Sequence, residues 1–356
     1  MRIEFLAPPA EQPLEASSSP TFSVVVAAYQ VANLIGEALD SIRRQTVAPL
    51  EVIVCDDGST DGLEEALSPY ADEISLVRKE HGGEASAKNA GAAVARGDFV
   101  VILDADDVYL PERIEALSQL ARLRPDLDIL TTDAYLVVDG RRVRRNYGKH
   151  WRFDVADQRR AILERNFIFG HAAVRRERLL EHDGFDESLL WTTDWDLWLR
   201  LILDGSLAGT VAEPLSLYRL RQASLTARRR ELARGKIATL EKAARNPAVR
   251  PDERPVLAKT LAHHRAELRL LELRDAVAAG DAGARHQALS LLRASGLASR
   301  NRLEAAAIAL APRLSGALLR RRAERSWTGA GGIRVAHDPD RRLARRLARW
   351  VGVGRG

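Results

Sequence analysis

The stretch RGDFVVILDADD, residues 96–107, decides how this chain folds. Its apolar run, residues 99–103, reads as a strand buried on both faces. The run passes directly into Asp104, Asp106 and Asp107. Clustered carboxylates repel one another, and an unpaired buried charge is expensive. Aspartates also follow strands for reasons of turn chemistry alone. The sharper reading is a counter-charge, Mg²⁺ or Mn²⁺, which takes oxygen ligands and bridges carboxylates to phosphates.

Outward from this strand the pattern repeats. TFSVVVAAY (residues 21–29) is a second buried strand, and 31–45 has helical spacing, with Leu34, Ala38 and Ile42 on one face. Residues 51–55 form an apolar strand that ends in the turn cluster DDGSTDG. A short helix (63–70), a strand (74–79) and a small-residue helix (85–96) complete the first half. Strands separated by single helices predict an α/β, Rossmann-like, mostly parallel sheet with right-handed crossovers. Ligands of such sheets bind outside the carboxyl ends of the strands, where all these polar clusters fall.

Further on, Pro111 opens a helix (PERIEALSQLARLR) and residues 129–138 form a strand. Asp139–Gly140 turns into 141–145, residues 166–174 read as another strand, and LLWTTDWDLWLRLILDG as a helix. The last strand is 210–219. Beyond residue 226 the chain becomes rich in Ala, Leu and Arg, with helical periodicity to about 322, clearest over 231–246 and 258–279. The expected organisation is a flexible leader (1–20), an α/β domain (21–226), a basic helical annex (227–325), and a linker with a basic amphipathic tail (326–356).

Charge follows the same division. Residues 1–226 carry a net −12 and residues 227–356 a net +17, so the basic part seeks an anionic partner. In RRLARRLARWVG (341–352), Leu343, Leu347, Trp350 and Val351 share one helical face among arginines, and LLRRRAERSW (318–327) adds a second basic-apolar cluster. Such a helix lies on an anionic membrane surface, or folds back on the acidic half of the chain. Nucleic acid is not expected, since aromatics are not interleaved for base stacking. The single cysteine, Cys55, excludes an internal disulfide and a Cys-based zinc site. No stretch is long and apolar enough to span a bilayer, and the N-terminus lacks a signal peptide's apolar core. The expectation is a cytoplasmic protein, peripheral at the membrane's inner face if the tail binds lipid.

Five segments in order resemble the family 2 glycosyltransferases of the GT-A fold: SVVVAAYQ (23–30), VIVCDDGSTDG (52–62), HGGEASAKNAG (81–91), LDADD (103–107) and HDGFDESLLWTTDWDLWLRL (182–201). The resemblance covers about 22–226. It implies inverting, metal-dependent transfer of a sugar from a nucleoside-diphosphate donor, a UDP-sugar in the first instance, to a glycan or lipid-linked hydroxyl. Asp57, an acceptor-only group, suits the N–H edge of a base, while Asp56 braces the loop and Tyr29 flanks the base. Lys88, in place of the family's arginine, meets ring or phosphate oxygens as a mobile point charge. Asp104 approaches the ribose or metal-bound water, and Asp106 binds the metal.

The family's general base corresponds to Asp194, with Thr193 in place of the usual preceding Glu; Asp196 braces structure. Trp191 and Trp195 flank that base, as core residues or as a platform for an acceptor sugar, and Trp198 is core. Arg221 stands where the family often has a metal- or diphosphate-contacting His, and can clamp a diphosphate instead. His171 is either a further polar contact or a satisfied core histidine. Two other functions compete. A nucleotidyltransferase should carry a Gly- and Arg/Lys-rich loop after the first strand, where this chain has AAYQVANLIG. A non-catalytic nucleotide-sugar or glycan-binding module is favoured by Thr193 and the missing His, and opposed by the intact Asp57, Asp106 and Asp194.

Overall fold

The computed structural model describes residues 4–10, 19–138, 141–148, 152–220, 229–312 and 315. Its strands are β1 (Phe5–Leu6), β2 (Phe22–Ala28), β3 (Glu51–Asp56), β4 (Ser75–Arg78), β5 (Phe99–Asp104), β6 (Val108–Tyr109), β7 (Ile129–Val138), β8 (Arg141–Arg145), β9 (Ala173–Arg175) and β10 (Ala208–Arg219). They form one sheet in the order β1-β10-β7-β9-β5-β2-β3-β4, with β6 on β10 and β8 on β7. The run β5-β2-β3-β4 is parallel, as is β10 with β7.

Alternation along these strands sorts their side chains into two cores. Val25, Ile53, Cys55, Val100 and Ile102 face one side. Val24, Val26, Val54, Val101 and Leu103 face the other. Both faces are covered, so the strands read as continuous apolar runs. Helices α1 (Ile35–Arg43), α2 (Leu63–Leu67) and α4 (Arg113–Leu123) cover one face, and α3 (Glu84–Val94), α5 (Gln158–Glu164), α6 (Arg176–Glu181) and α7 (Thr193–Leu203) the other. The small residues of α3 are a packing requirement. A Cβ on Gly91 would press on the Val25 side chain and lie 2.8 Å from Cys55 Sγ.

Three sequence expectations change. In place of the expected strand 166–174 there is only the short β9 at 173–175, which runs antiparallel between β5 and β7. Upstream, side chains take over ladder bonds: the Phe169 N–H donates to Tyr147 Oη at 3.1 Å, and the Ile168 N–H to Asn166 Oδ1 at 3.3 Å. The leader is anchored where it is described, because Phe5 and Leu6 pair antiparallel with Val211 and Thr210 on the sheet edge. Helices α5 and α6 were not anticipated, being too short for a clear helical period.

The annex comprises α8 (Arg229–Ala244), α9 (Arg254–Ala279), α10 (Ala284–Leu292) and α11 (Ser299–Leu310). Its beginning shares the domain's own core, since Leu240, Ala243, Val249 and Leu257 cluster with Trp195, Leu199 and Leu203. The second half of α9 forms a separate core with α10 and α11. No helix among the described residues is long and apolar enough to cross a membrane. The basic clusters at 318–327 and 341–352 lie outside the described residues.

Candidate active site

The carboxyl ends of β2, β3 and β5 meet the loop after β4, the start of α3 and the start of α7. At the end of β3, Asp56 accepts from the Ser59 N–H at 2.8 Å and from Arg78 Nε at 3.1 Å, so it braces the loop. Asp57, only 2% exposed, has both oxygens engaged. Oδ1 accepts from Lys79 Nζ at 2.8 Å and the Gly82 N–H at 2.9 Å, and Oδ2 from the Gly83 N–H at 2.8 Å. His81 Nδ1 also lies 2.8 Å from Oδ2. Burial opposes the charge on Asp57, but Lys79 and these N–H groups outweigh it and hold its pKa below the usual aspartate value. Tyr29, 45% exposed at the end of β2, stacks on the His81 ring at 4.1 Å between centroids.

Lys88, projecting from α3, is pinned rather than mobile. It is buried, pairs with Glu84 within its own helix, and lies 3.2 Å from Asp104 Oδ1 at the end of β5. Burial disfavours its charge, yet the two carboxylates outweigh that and raise its pKa. Asp104 is lowered in turn, with Lys88 and His171 overcoming its desolvation.

Beneath the half-buried Asp104 and Asp106, the segment's third aspartate makes a buried pair. Asp107 Oδ2 lies 2.8 Å from His171 Nε2, each residue 1% exposed. Asp107 Oδ1 accepts from the Arg219 N–H at 2.7 Å, and Arg219 Nη1 donates to the Asp106 carbonyl at 3.0 Å. Burial pushes Asp107 up to about 6. His171 is raised despite burial, because Asp104 and Asp107 both face it. Of its two readings, His171 is thus the satisfied, buried histidine, lying beneath the aspartate cluster. Its backbone carbonyl accepts from Arg113, a fully buried guanidinium stacked over Tyr109 at 4.5 Å.

Sequence reading missed Arg113, Arg219 and the role of Asp107. A lone arginine in a helix or at a strand end carries no signal until its partners are known. The donor atoms of Asp104, Asp107 and His171 lie within 4.8 Å of one another, and Asp106 adds a carboxylate on the same turn. Oxygen donors with one imidazole suit Mg²⁺ or Mn²⁺. Asp104 and Asp106, the half-buried carboxylates of this turn, are the groups that could hold an ion.

Asp194 is the second residue of α7. Its Oδ2 accepts from Asn166 Nδ2 at 2.9 Å and its Oδ1 from the Trp195 N–H at 2.7 Å. Burial holds this carboxyl above the usual aspartate value, against the opposing pull of the Trp195 N–H, Lys88 and Asn166. Asp194 Oδ2 lies 3.7 Å from where a Cβ on Gly170 would stand, and the next residue, His171, pairs with Asp107, so segment 166–171 links Asp194 to the aspartate turn. Asp196 is buried and bonded to Arg200 Nε at 2.8 Å and Lys242 Nζ at 2.9 Å, a brace as expected.

Trp195 is not an acceptor platform. It is 2% exposed, and its Nε1 donates to the Ile162 carbonyl at 2.8 Å, because the helix turns this position inward. Trp198 is core, while Trp191 remains half-exposed just ahead of α7. Thr192, just before α7, has a left-handed backbone at φ 59°, costly for a β-branched residue. Annex helix α8 holds it: Thr239 Oγ1 lies 2.9 Å from Thr192 Oγ1, and Gly235 packs against Trp191. Arg221 lies outside the described residues.

Residues 23–184 match the sequence model of Glycosyl transferase family 2. An uncharacterized glycosyltransferase of Rickettsia prowazekii is 32% identical over 193 residues, covering 51% of this chain and 58% of that protein. The chain thus spans little more than half of this relative's length. S. aureus TarS 1–349, in a crystal structure with UDP-GlcNAc, superposes with a TM-score of 0.56 at 17% identity, covering 88% of this chain and 93% of that one. The mannosyltransferase PcManGT of Pyrobaculum calidifontis, in complex with GDP-Man and Mn²⁺, superposes with a TM-score of 0.56 at 22% identity, covering 96% of this chain and 88% of that one.

Proposed function

We propose that this chain, whose residues 23–184 match Glycosyl transferase family 2 and whose α/β domain has the GT-A fold, transfers a sugar, with inversion and with divalent-metal dependence, from a nucleoside-diphosphate donor to an acceptor hydroxyl. The observation that carries the reading is that Asp194, a carboxyl raised by burial, and the half-buried Asp104–Asp106 turn are linked through segment 166–171, with Asn166 on Asp194 and His171 on Asp107.

The roles follow from the chemistry. Tyr29 and Asp57 take the base, by stacking and by accepting an N–H. Asp104 and Asp106 hold Mg²⁺ or Mn²⁺, and the chemistry such an ion supplies is neutralisation of the departing diphosphate. Lys88 offsets the charge of Asp104 from within. Asp194 Oδ takes the acceptor's proton as that oxygen attacks the anomeric carbon. Its raised pKa makes it a stronger base than an ordinary aspartate, and Asn166 aims it. Trp191 is the aromatic wall available to an acceptor sugar. A UDP-sugar is the first donor to test, given the UDP-GlcNAc bound by TarS, with GDP-mannose the second. The acceptor is a glycan or lipid-linked glycan.

The test is nucleoside-diphosphate release from a panel of UDP- and GDP-sugars, with and without Mg²⁺ or Mn²⁺, followed by NMR of the glycosylated product. Metal-stimulated release and an inverted anomeric centre are expected. Retention of configuration would rule out Asp194 as the base of a single displacement. Absence of turnover alongside tight nucleotide-sugar binding would favour a non-catalytic binding module.

A further inference from the structure

Asp57 is saturated before any ligand arrives. A carboxylate offers about four acceptor sites. Here Lys79 Nζ and the Gly82 and Gly83 N–H groups donate to its two oxygens, and His81 Nδ1 closes the remaining side, 2.8 Å from Oδ2 and 3.3 Å from the Asp57 carbonyl. Two of these donors are backbone groups of a loop packed tightly against its neighbours: a Cβ on Gly58 would lie 3.1 Å from the His81 nitrogen and 3.3 Å from the Lys79 carbonyl. The Lys79 side chain is 24% exposed and also donates to the Glu80 carbonyl. The His81 side chain is 55% exposed and hangs on two torsions. It is the donor that can leave at least cost. The same ring lies on Tyr29, at 4.1 Å between centroids and 23° between planes, which leaves no room for another ring between them.

The geometry points to His81 as a self-occupying gate of the base site: its imidazole holds the stacking face of Tyr29 and an acceptor site of Asp57, and a donor's base replaces it on both. This rests on reading Tyr29 and Asp57 as the base site. An imidazole and a nucleobase are both flat and aromatic and present an N–H at the edge, so one can exchange for the other contact by contact. One rotation about the His81 side-chain torsions uncovers both features together. The backbone of residues 82–83 and Lys79 stay on Asp57 and keep it ionised. Apparent donor affinity is then reduced by the fraction of molecules in which His81 is turned away.

Removing the ring should therefore tighten binding, the opposite of what losing a base-contacting residue would do. UDP and GDP titrated calorimetrically, with Mg²⁺ present, into wild type and His81→Ala give the test. Binding of whichever nucleotide wild type accepts should be tighter in the variant by roughly three- to tenfold, the factor for an open state populated about 10–30% of the time. His81→Phe, which keeps the stack without the N–H, should fall between the two. In NMR of wild type, the His81 ring protons, assigned by their loss in the variant, should move out of the Tyr29 ring current on saturation with nucleotide. Weaker or unchanged binding in His81→Ala would overturn the gate, as would His81 resonances that stay in place on saturation. If neither UDP nor GDP binds either protein, the base-site reading falls and the gate with it.

Discussion

Gly235→Ala should slow transfer while leaving the chain folded. A Cβ at this position on α8 would lie 2.5 Å from Trp191 Cβ, 3.3 Å from the Trp191 carbonyl and 3.4 Å from Thr192 Oγ1. Ordinary contact needs about 3.5–4.0 Å, so helix and loop must part by about 1 Å. Overpacking of this kind costs about 1–3 kcal/mol. Alanine's better helix propensity returns about 1 kcal/mol, leaving a net loss of roughly 0–2 kcal/mol. The displaced groups are Trp191 and Thr192, which lead into α7, and Asp194 follows two residues after Thr192. A misplacement of about 1 Å at a reacting group can cost about 10²-fold in rate. The expected result is kcat down by about 10- to 100-fold with donor KM within about threefold, since Tyr29 and Asp57 lie on other elements. Nucleoside-diphosphate release at saturating donor and acceptor, beside urea unfolding curves, measures both quantities. A variant that loses the expected stability yet keeps kcat within about threefold would refute the claim that the annex sets the position of Asp194.

Asp194→Asn should lower kcat by ~10²–10⁴-fold while leaving donor affinity unchanged, measured by product formation and calorimetry. Because burial raises this carboxyl and the base acts deprotonated, wild-type kcat should rise with pH along a limb centred above the ordinary aspartate value of 3.8, and the Asn variant should lack that limb. Asp106→Ala should abolish the stimulation of donor turnover by Mn²⁺ or Mg²⁺, read from metal titrations. Lys242 lies on Asp186, whose pKa Lys242 and the two Ser188 hydrogen bonds together depress to about 2 against the tendency of burial, so this stabilisation is present above the unfolded value of 3.8 and lost as pH falls toward about 2. Lys242→Ala should accordingly cost about 1 kcal/mol near neutral pH after solvent screening, the gap to wild type narrowing between about pH 4 and 2 in acid-unfolding curves. Full-length protein should pellet with anionic vesicles at low salt and lose that binding on truncation after Gly332; equal pelleting by both would remove the membrane reading of the tail.

The α/β class and its site end were legible in the chain because they rest on local chemistry. Buried parallel strands must be apolar along their length, and Phe99–Asp104 and Ile129–Val138 are found as strands close to where their runs predict them. Polar clusters that follow such strands must gather at one end of the sheet, so Asp57 and Asp104 could be singled out by position, whereas Asp194, on a helix, was named only by the resemblance. The helical annex was legible from its 3.6-residue period and its change of charge. Resemblance supplied roles that these patterns could not.

What tertiary structure decided is who faces whom, since a side chain's environment depends on residues distant in sequence. Trp191 and Trp195 are alike on paper, yet the turn of α7 sends Trp195 into the core to bond Ile162 and leaves Trp191 half-exposed ahead of the helix. Lys88 reads as a mobile charge, yet burial against Asp104 pins it. Asp107 reads as one more loop aspartate, yet His171, 64 residues away, holds it as a buried pair. Nothing local marks Gly235 as more than a poor helix former, yet that missing Cβ lets the annex close on the loop before Asp194. Strand and helix patterns are written in neighbouring residues; the charge, exposure and aim of a catalytic group are set by whatever the fold brings against it.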